Sequence, residues 1–327
     1  MRRHPDAPRF PLLGGPSPLE RWERFGAAIL ASPVDPDGST EVWAKREDLL
    51  PLAFGGNKLR NLEFLVGAAL AEDADTLVTS GRRWSNHCRL TAAAGARAGL
   101  AVHLVMSGPP VDPPNPGVVL SRMLGATVHQ AATAERAERA AIVDRVVSEL
   151  QAQGRRPYVI GVGGSGVVGA YGQVLGGYEL IDQAAAAGFR PDVVVLPTAT
   201  GGTQAGLVTA FASEGASIRV VGMAVARPAS ELRPTVAELV CALGVDGAPI
   251  EIDDRALGAG YGIPSAAAAE AAGLLARTEG VLVDPIYTAK ALGGLVEMVR
   301  SGELRGRRVV FWHAGGLPGL FEPLAEA

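Results

Sequence analysis

Three short stretches hold side chains whose types and spacing go beyond what packing requires. Lys58 stands in "AFGGNKLRNLEFL", directly behind Gly55, Gly56 and Asn57 and ahead of an apolar repeat, Leu59, Leu62, Leu65 and Val66, at helical spacing. An ammonium at the first turn of a helix opposes the helix dipole, which prefers an anion there. Such a placement costs stability and points to a role, and an amine behind a flexible glycine turn suits Schiff-base formation with a carbonyl cofactor. The second stretch, "PTATGGTQAGL", reads as a strand, a Thr/Gly loop and a helix start. The N–H groups of Gly201, Gly202 and Thr203 and the hydroxyls of Thr200 and Thr203 would converge on an anion at that helix terminus. The Gly-Lys-Ser/Thr ending of a nucleoside-triphosphate loop is missing, which favours a single monoester phosphate. An ordinary helix cap by Thr200 or Thr203 accounts for the same residues. The third, "GVGGSGVVGAYG", matches a dinucleotide fingerprint at Gly161, Gly163 and Gly166. The strand that follows carries Asp192 at its beginning and Pro197 near its end, whereas a ribose-binding acid belongs at the end, so a turn packing a helix on a sheet competes with that reading.

The elements that must position these residues follow from periodicity. Apolar runs "DTLVTSG", "LAVHLVMSG", "RPYVIGVGG", "PDVVVLPT", "IRVVGMAV" and "RRVVFWHAGG" alternate with Ala/Leu-rich helical patterns, the rhythm of open parallel sheets covered by helices on both faces. The runs end in Gly, Ser or Thr near their carboxyl ends, where such folds bind ligands. "AATAERAERAAIVDRVVSELQAQG" reads as an amphipathic helix closed by Gly154 with a solvated charged face, and "SGPPVDPPNPG", Ser107 to Gly117, as a proline-rich loop.

Composition narrows the class. The 327 residues are 48% hydrophobic and 20% charged with net charge -4, enough apolar content for a large core and no basic run of the kind that binds nucleic acid. Cys88 and Cys241 are far apart and form no CxxC pair, so neither a disulfide framework nor a metal site is expected, and a reducing cytoplasm fits. The start, "MRRHPDAPRFPLLGG", has no continuous apolar segment of signal-peptide type, and no membrane partner is expected.

A lysine on a glycine turn and a phosphate cup in an α/β chain together suit pyridoxal 5'-phosphate. "KREDLLPLAFGGNKLRNLE", "SNHCRLTAAAGARAGL", "TATGGTQAGL", "YGIPSAAAAEAAGLLARTEGVLVDPIYTAKALGGLVEMVRSGE" and "VVFWHAGGLPGLF" resemble, in order, segments of the 1-aminocyclopropane-1-carboxylate deaminase and D-cysteine desulfhydrase family. The resemblance runs from Lys45 to Phe321. It implies the tryptophan synthase β-like architecture (fold type II), with two open twisted parallel-sheet α/β domains: a large cofactor-binding domain of residues 1–60 and 173–327, and a smaller inserted domain of residues 61–172. A homodimer acting on a small amino acid is implied as well.

By the same resemblance Lys58 would hold the cofactor and then move the substrate's proton. Asn86 would bond the cofactor's phenolic oxygen, and Ser85, Asn86 and His87, with Trp84 and Ser165 nearby, would receive the substrate. Thr200, Gly201, Gly202, Thr203 and Gln204 match the phosphate cup. Tyr287 would face the cofactor ring, and Tyr261 would relay protons; on residue type alone each tyrosine is equally a core aromatic. Thr288 stands where cyclopropane-opening deaminases carry glutamate and desulfhydrase-like members carry threonine. A neutral partner there makes a weaker electron sink and favours elimination of a good β-leaving group. The expected activity is therefore that of a lyase or deaminase on a small D- or achiral α-amino acid, D-cysteine desulfhydrase-like, releasing ammonia and a 2-oxo acid. A 1-aminocyclopropane-1-carboxylate deaminase, or a biosynthetic relative with an altered pocket, are the alternatives.

Four departures bear on the pocket. "GRRW", Gly81 to Trp84, replaces a "GAIQ"-like run and brings two cations that either line the substrate loop or face solvent. Asn61 stands where a phosphate-supporting lysine is common, Ala314 replaces a threonine or leucine, and "GGSGVVG" is unusual for its segment.

Overall fold

The computed structural model describes residues 6–30, 39–108, 114–133 and 135–322; Pro109 to Pro113 of the proline-rich stretch lie outside it. The chain opens with β1 (Leu19–Arg21), α1 (Glu23–Leu30), β2 (Glu41–Arg46) and α2 (Lys58–Ala71). It continues with β3 (Thr76–Arg82), α3 (Asn86–Ala98), β4 (Ala101–Ser107), α4 (Pro116–Met123), β5 (Thr127–Ala131), α5 (Arg136–Ala152) and β6 (Pro157–Ile160). Then come α6 (Val167–Ala186), β7 (Val193–Thr198), α7 (Gly202–Ser213), β8 (Arg219–Ala224), α8 (Ala229–Ala242), β9 (Glu251–Asp253), α9 (Ala266–Glu279), α10 (Thr288–Arg300) and β10 (Arg308–His313).

The strands form two sheets. The larger runs β1-β2-β10-β7-β8-β9, parallel throughout except for the β1–β2 edge, and the smaller, β5-β4-β3-β6, is parallel throughout. Strand residues alternate between faces, and in the larger sheet both faces are buried. Val193, Val195, Val309 and Phe311 join a core with Trp22 and Phe25 on one side, while Val194, Leu196, Val310 and Trp312 join a second core with Phe211 on the other. Each such side chain, fully buried, contributes about 1.5–3 kcal/mol. The expected strand runs all appear; the short strands β1, β2, β5 and β9 are additions that lack a long apolar run, and the last turn of the expected proline-rich loop already belongs to α4, with Pro116 at its first position.

Helices α2 and α6 pack on each other at the junction of the two sheets. The contact is close because Gly172 of α6 meets the backbone of Arg60, where any Cβ would collide, and Gly176 lies against the Arg60 side chain. Arg60 is buried and bonds Glu47 Oε2 at 2.7 Å and Glu179 Oε2 at 3.0 Å, while Lys45 bonds Glu179, Gln183 and the Ser17 carbonyl. Both expected domain boundaries, at 60/61 and 172/173, fall inside these two helices.

Candidate active site

The carboxyl ends of β3 and β7 and the amino ends of α2, α3, α7 and α10 surround a cavity of about 320 Å³, of the size that takes a cofactor-sized ligand. Lys58 enters it as the first residue of α2. The turn before it is strained: Ala53 (φ 46°) and Phe54 (φ 65°) adopt left-handed backbone, which costs energy for residues with a Cβ and is a recurrent mark of functional loops. Gly55 follows at φ 62° with the Asp48 carbonyl occupying the space of a side chain. Arg89 of α3 fastens this turn by bonding the carbonyls of Ala53 and Gly55. Burial, with no anion to offset it, lowers the Lys58 amine to about 8.

The phosphate loop is built from backbone. Gly201 occupies the cap position of α7 in left-handed conformation (φ 88°), and no side chain caps the helix, which removes the ordinary-cap reading of Thr200 and Thr203. The N–H groups opening α7 are thus left for an anion or solvent. The Thr200 and Thr203 hydroxyls are fixed from behind, by Ser165 Oγ at 2.5 Å and by Asn57 Nδ2 at 2.9 Å. Of the fingerprint glycines, Gly163 (φ 71°) lines the cavity against Thr200 and a Cβ on the other two would meet no neighbour among the described residues, while the close packing in this stretch comes from Gly169 of α6, which abuts the Gly164 carbonyl to which Asn61 Nδ2 donates at 3.0 Å. Asn61 itself lies behind the cavity wall, and among the described residues Lys58 is the one lysine lining it.

The third contributor is the amino end of α3. Ser85 caps it, its Oγ accepting from Cys88 N at 3.2 Å, and the N–H groups of Asn86 and His87 open the first turn. His87 is buried, and burial together with the nearby Lys58 pushes its imidazole down to about 3, so it is neutral at working pH. Thr79 Oγ1 donates its one proton to the Ile160 carbonyl (2.8 Å), so His87 Nε2, 3.0 Å from that hydroxyl, is the donor in their bond. His87 Nδ1 is then a bare acceptor with no partner among the described residues. It suits an amine N–H rather than a carboxylate.

Opposite stand the tyrosines. Tyr261 and Tyr287 share a short hydrogen bond between their hydroxyls, and burial raises both above the usual phenol range, so both are protonated near neutrality. Thr288 Oγ1 lies 2.6 Å from Asp284 Oδ2 and 2.8 Å from the Gly315 carbonyl. Asp284 also accepts from the N–H groups of Ile286, Tyr287 and Thr288, and this fixes the start of α10.

Of the residues expected from the sequence, Lys58, Ser85, Asn86, His87, Thr200, Gly201, Thr203, Gln204, Tyr261, Tyr287 and Thr288 line this one cavity. Gly202 and Ser165 sit one layer behind it, in contact with each other. Trp84 is also behind, with its ring 5.7 Å from that of Tyr261 and against Gly262. The two loop cations separate: Arg82 lines the cavity, whereas Arg83 turns to Gly108 and the Trp84 ring. Sequence reasoning missed Arg136, Arg139 and Arg227, which also line the cavity. The first two belong to the helix read as a solvated face, and nothing in its weak amphipathic pattern marks the turn that faces inward.

Unpartnered amides at α7, an uncompensated lysine facing them and an open α3 terminus fit a phosphorylated carbonyl cofactor. A family model described as "Pyridoxal-phosphate dependent enzyme" matches residues 11–315. The chain is 40% identical to the 1-aminocyclopropane-1-carboxylate deaminase of Burkholderia vietnamiensis, over 96% of this chain and 95% of that one. It is 36% identical to the D-cysteine desulfhydrase of Salmonella choleraesuis, with the same coverage. A crystal structure of an ACC deaminase homologue superposes with a TM-score of 0.86 at 32% identity, covering 97% of this chain and 94% of that one. A pyridoxal 5'-phosphate-dependent aspartate racemase shares the fold, with a TM-score of 0.68 at 14% identity over 92% and 90% of the two chains.

Proposed function

This chain belongs to the pyridoxal-phosphate-dependent enzyme family, and from that premise we propose that it is a lyase that removes a β substituent and the amino group from a small D- or achiral α-amino acid, a reading supported by its similarity to relatives named D-cysteine desulfhydrase. The observation that carries this reading is Thr288: a hydroxyl held by Asp284 and the Gly315 carbonyl, where a carboxylate would favour cyclopropane opening. The deaminase reading keeps support from the 40% identity to the relative of that name.

When bound, the cofactor supplies an electron sink for negative charge at the substrate's α carbon. Lys58 would hold it, the open amides of α7 with Thr200, Thr203 and Gln204 would take its phosphate, and Asn86 would reach its phenolic oxygen. The N–H groups at the start of α3 would take the substrate's carboxylate. His87 Nδ1, a bare acceptor, would orient an amine N–H. Lys58 Nζ, lowered to about 8, is a base of suitable strength for the α proton near neutral pH. The protonated Tyr261 and Tyr287 pair can return a proton to the departing β group. Residues 61–172 would act as the inserted domain that brings Ser85 to His87 over the phosphate loop, and the working unit would be a homodimer.

The test is the visible absorbance of the purified holoenzyme during addition of D-cysteine, with 2-oxo acid assayed in parallel. Absorbance change with oxo-acid release supports the reading. 1-Aminocyclopropane-1-carboxylate as the better substrate would replace it with the deaminase reading.

A further inference from the structure

The cavity holds more positive charge than the reaction above uses. Besides Lys58, Arg82, Arg136, Arg139 and Arg227 line it, and among the described residues no Asp or Glu does. The cofactor's phosphate has the amides of α7, and the substrate's α-carboxylate has the start of α3, so the arginines are surplus to both. Arg139 is the sharpest case. It is 6% exposed, its Nη1 donates to the neutral Ser107 Oγ at 3.1 Å, and no carboxylate among the described residues pairs with it. A buried guanidinium without a counter-ion is costly unless something supplies the charge. Burial lowers its pKa, and the neighbouring charges of Arg82 and Arg136 lower it further, which places three guanidinium groups within mutual repulsion. Arg82 lies with its guanidinium 5.9 Å from the Tyr261 ring centroid, on the substrate side of the site. Arg227 differs, because Glu231 offsets part of its charge.

We infer that Arg139, with Arg82 and Arg136 beside it, receives a second oxyanion on the substrate, so that the preferred substrate is an α-amino acid carrying a phosphate, sulfonate or carboxylate beyond its β carbon. This rests on the lyase reading of the same site and names its substrate class. Planar guanidinium groups bind oxyanions in paired hydrogen bonds, and the charge that arrives with the substrate cancels a repulsion built into the pocket. With O-phosphoserine as such a substrate, the α C–H bond breaks with its proton going to Lys58. The Cβ–O bond breaks with its electron pair leaving on phosphate, and water supplies the oxo oxygen, for a net release of pyruvate, ammonia and phosphate.

The experiment compares O-phosphoserine with β-chloroalanine, a neutral amino acid with a good leaving group, each as D and L forms, on the holoenzyme. The expected KM for the better O-phosphoserine enantiomer is at least tenfold below that of the matching β-chloroalanine. Arg139→Gln should shift the ratio of the two KM values by tenfold or more, and Arg82→Gln, at a less buried position, should shift it the same way if the first variant fails to fold. Turnover of β-chloroalanine with equal KM values, or a ratio unmoved in both variants, overturns the anion receptor and leaves the lyase reading standing. No release of 2-oxo acid from either compound overturns both.

Discussion

Two groups of buried cations in this molecule are built in opposite ways. Lys45 and Arg60 sit where α2, α6 and β2 meet, and every charge there has an answer: Arg60 bonds Glu47 and Glu179, and Lys45 bonds Glu179, Gln183 and the Ser17 carbonyl. By contrast, Lys58, two residues before Arg60, and Arg139, on a distant helix, face the cavity with no carboxylate partner among the described residues. The first arrangement holds elements together, and the second keeps charge in reserve for something that arrives from outside. Burial alone does not tell them apart; the partners do.

That contrast can be broken most decisively at Lys58. Lys58→Ala should abolish turnover, a loss of at least about 10³-fold, and remove the visible absorbance of the bound cofactor, while the midpoint of thermal unfolding of the cofactor-free protein stays unchanged or rises. A lowered midpoint would move Lys58 into the structural group. The mirror experiment is Glu47→Ala, which leaves Arg60 buried and short of its partner and should cost about 3–5 kcal/mol in denaturant unfolding. A cost near zero would mean that the closed network is not what fastens α2.

Acidity sharpens the same contrast. Because Lys58 titrates near 8 in the folded protein and at its ordinary 10.5 when unfolded, the unfolded chain binds more protons between those values. The stability of the cofactor-free protein should therefore rise with pH through that window, and in Lys58→Met the rise should be smaller; an unchanged slope would refute it. His87 extends the contrast to the acid side. It is neutral down to about 3 when folded and titrates at 6.5 when unfolded, so stability contributed by its neutral form is lost as pH falls below 6.5, and His87→Gln should flatten that acid limb.

The sheet architecture was legible because strands buried on both faces read as uninterrupted apolar runs, as in "PDVVVLP" and "RRVVFW". Lys58, the α7 cup and the start of α3 were legible because glycine turns and helix starts are local features of sequence. Arg139 was not, since its inward direction depends on the rotation of α5 against β3 and β4, a long-range property that its own neighbours do not encode. Arg82 and Arg83 were adjacent in sequence and equal in type, and their roles separate through tertiary packing that places Arg83 beside Gly108 and the Trp84 ring.

The glycine contact between α2 and α6 has a mechanical consequence. With the Arg60 backbone seated against Gly172 and the turn ahead of Lys58 tied down by Arg89, the lysine's main chain is a fixed pivot. Its amine travels by turning the four bonds of its own side chain, a short swinging arm on a rigid mount, and whatever it must touch has to come within that arc.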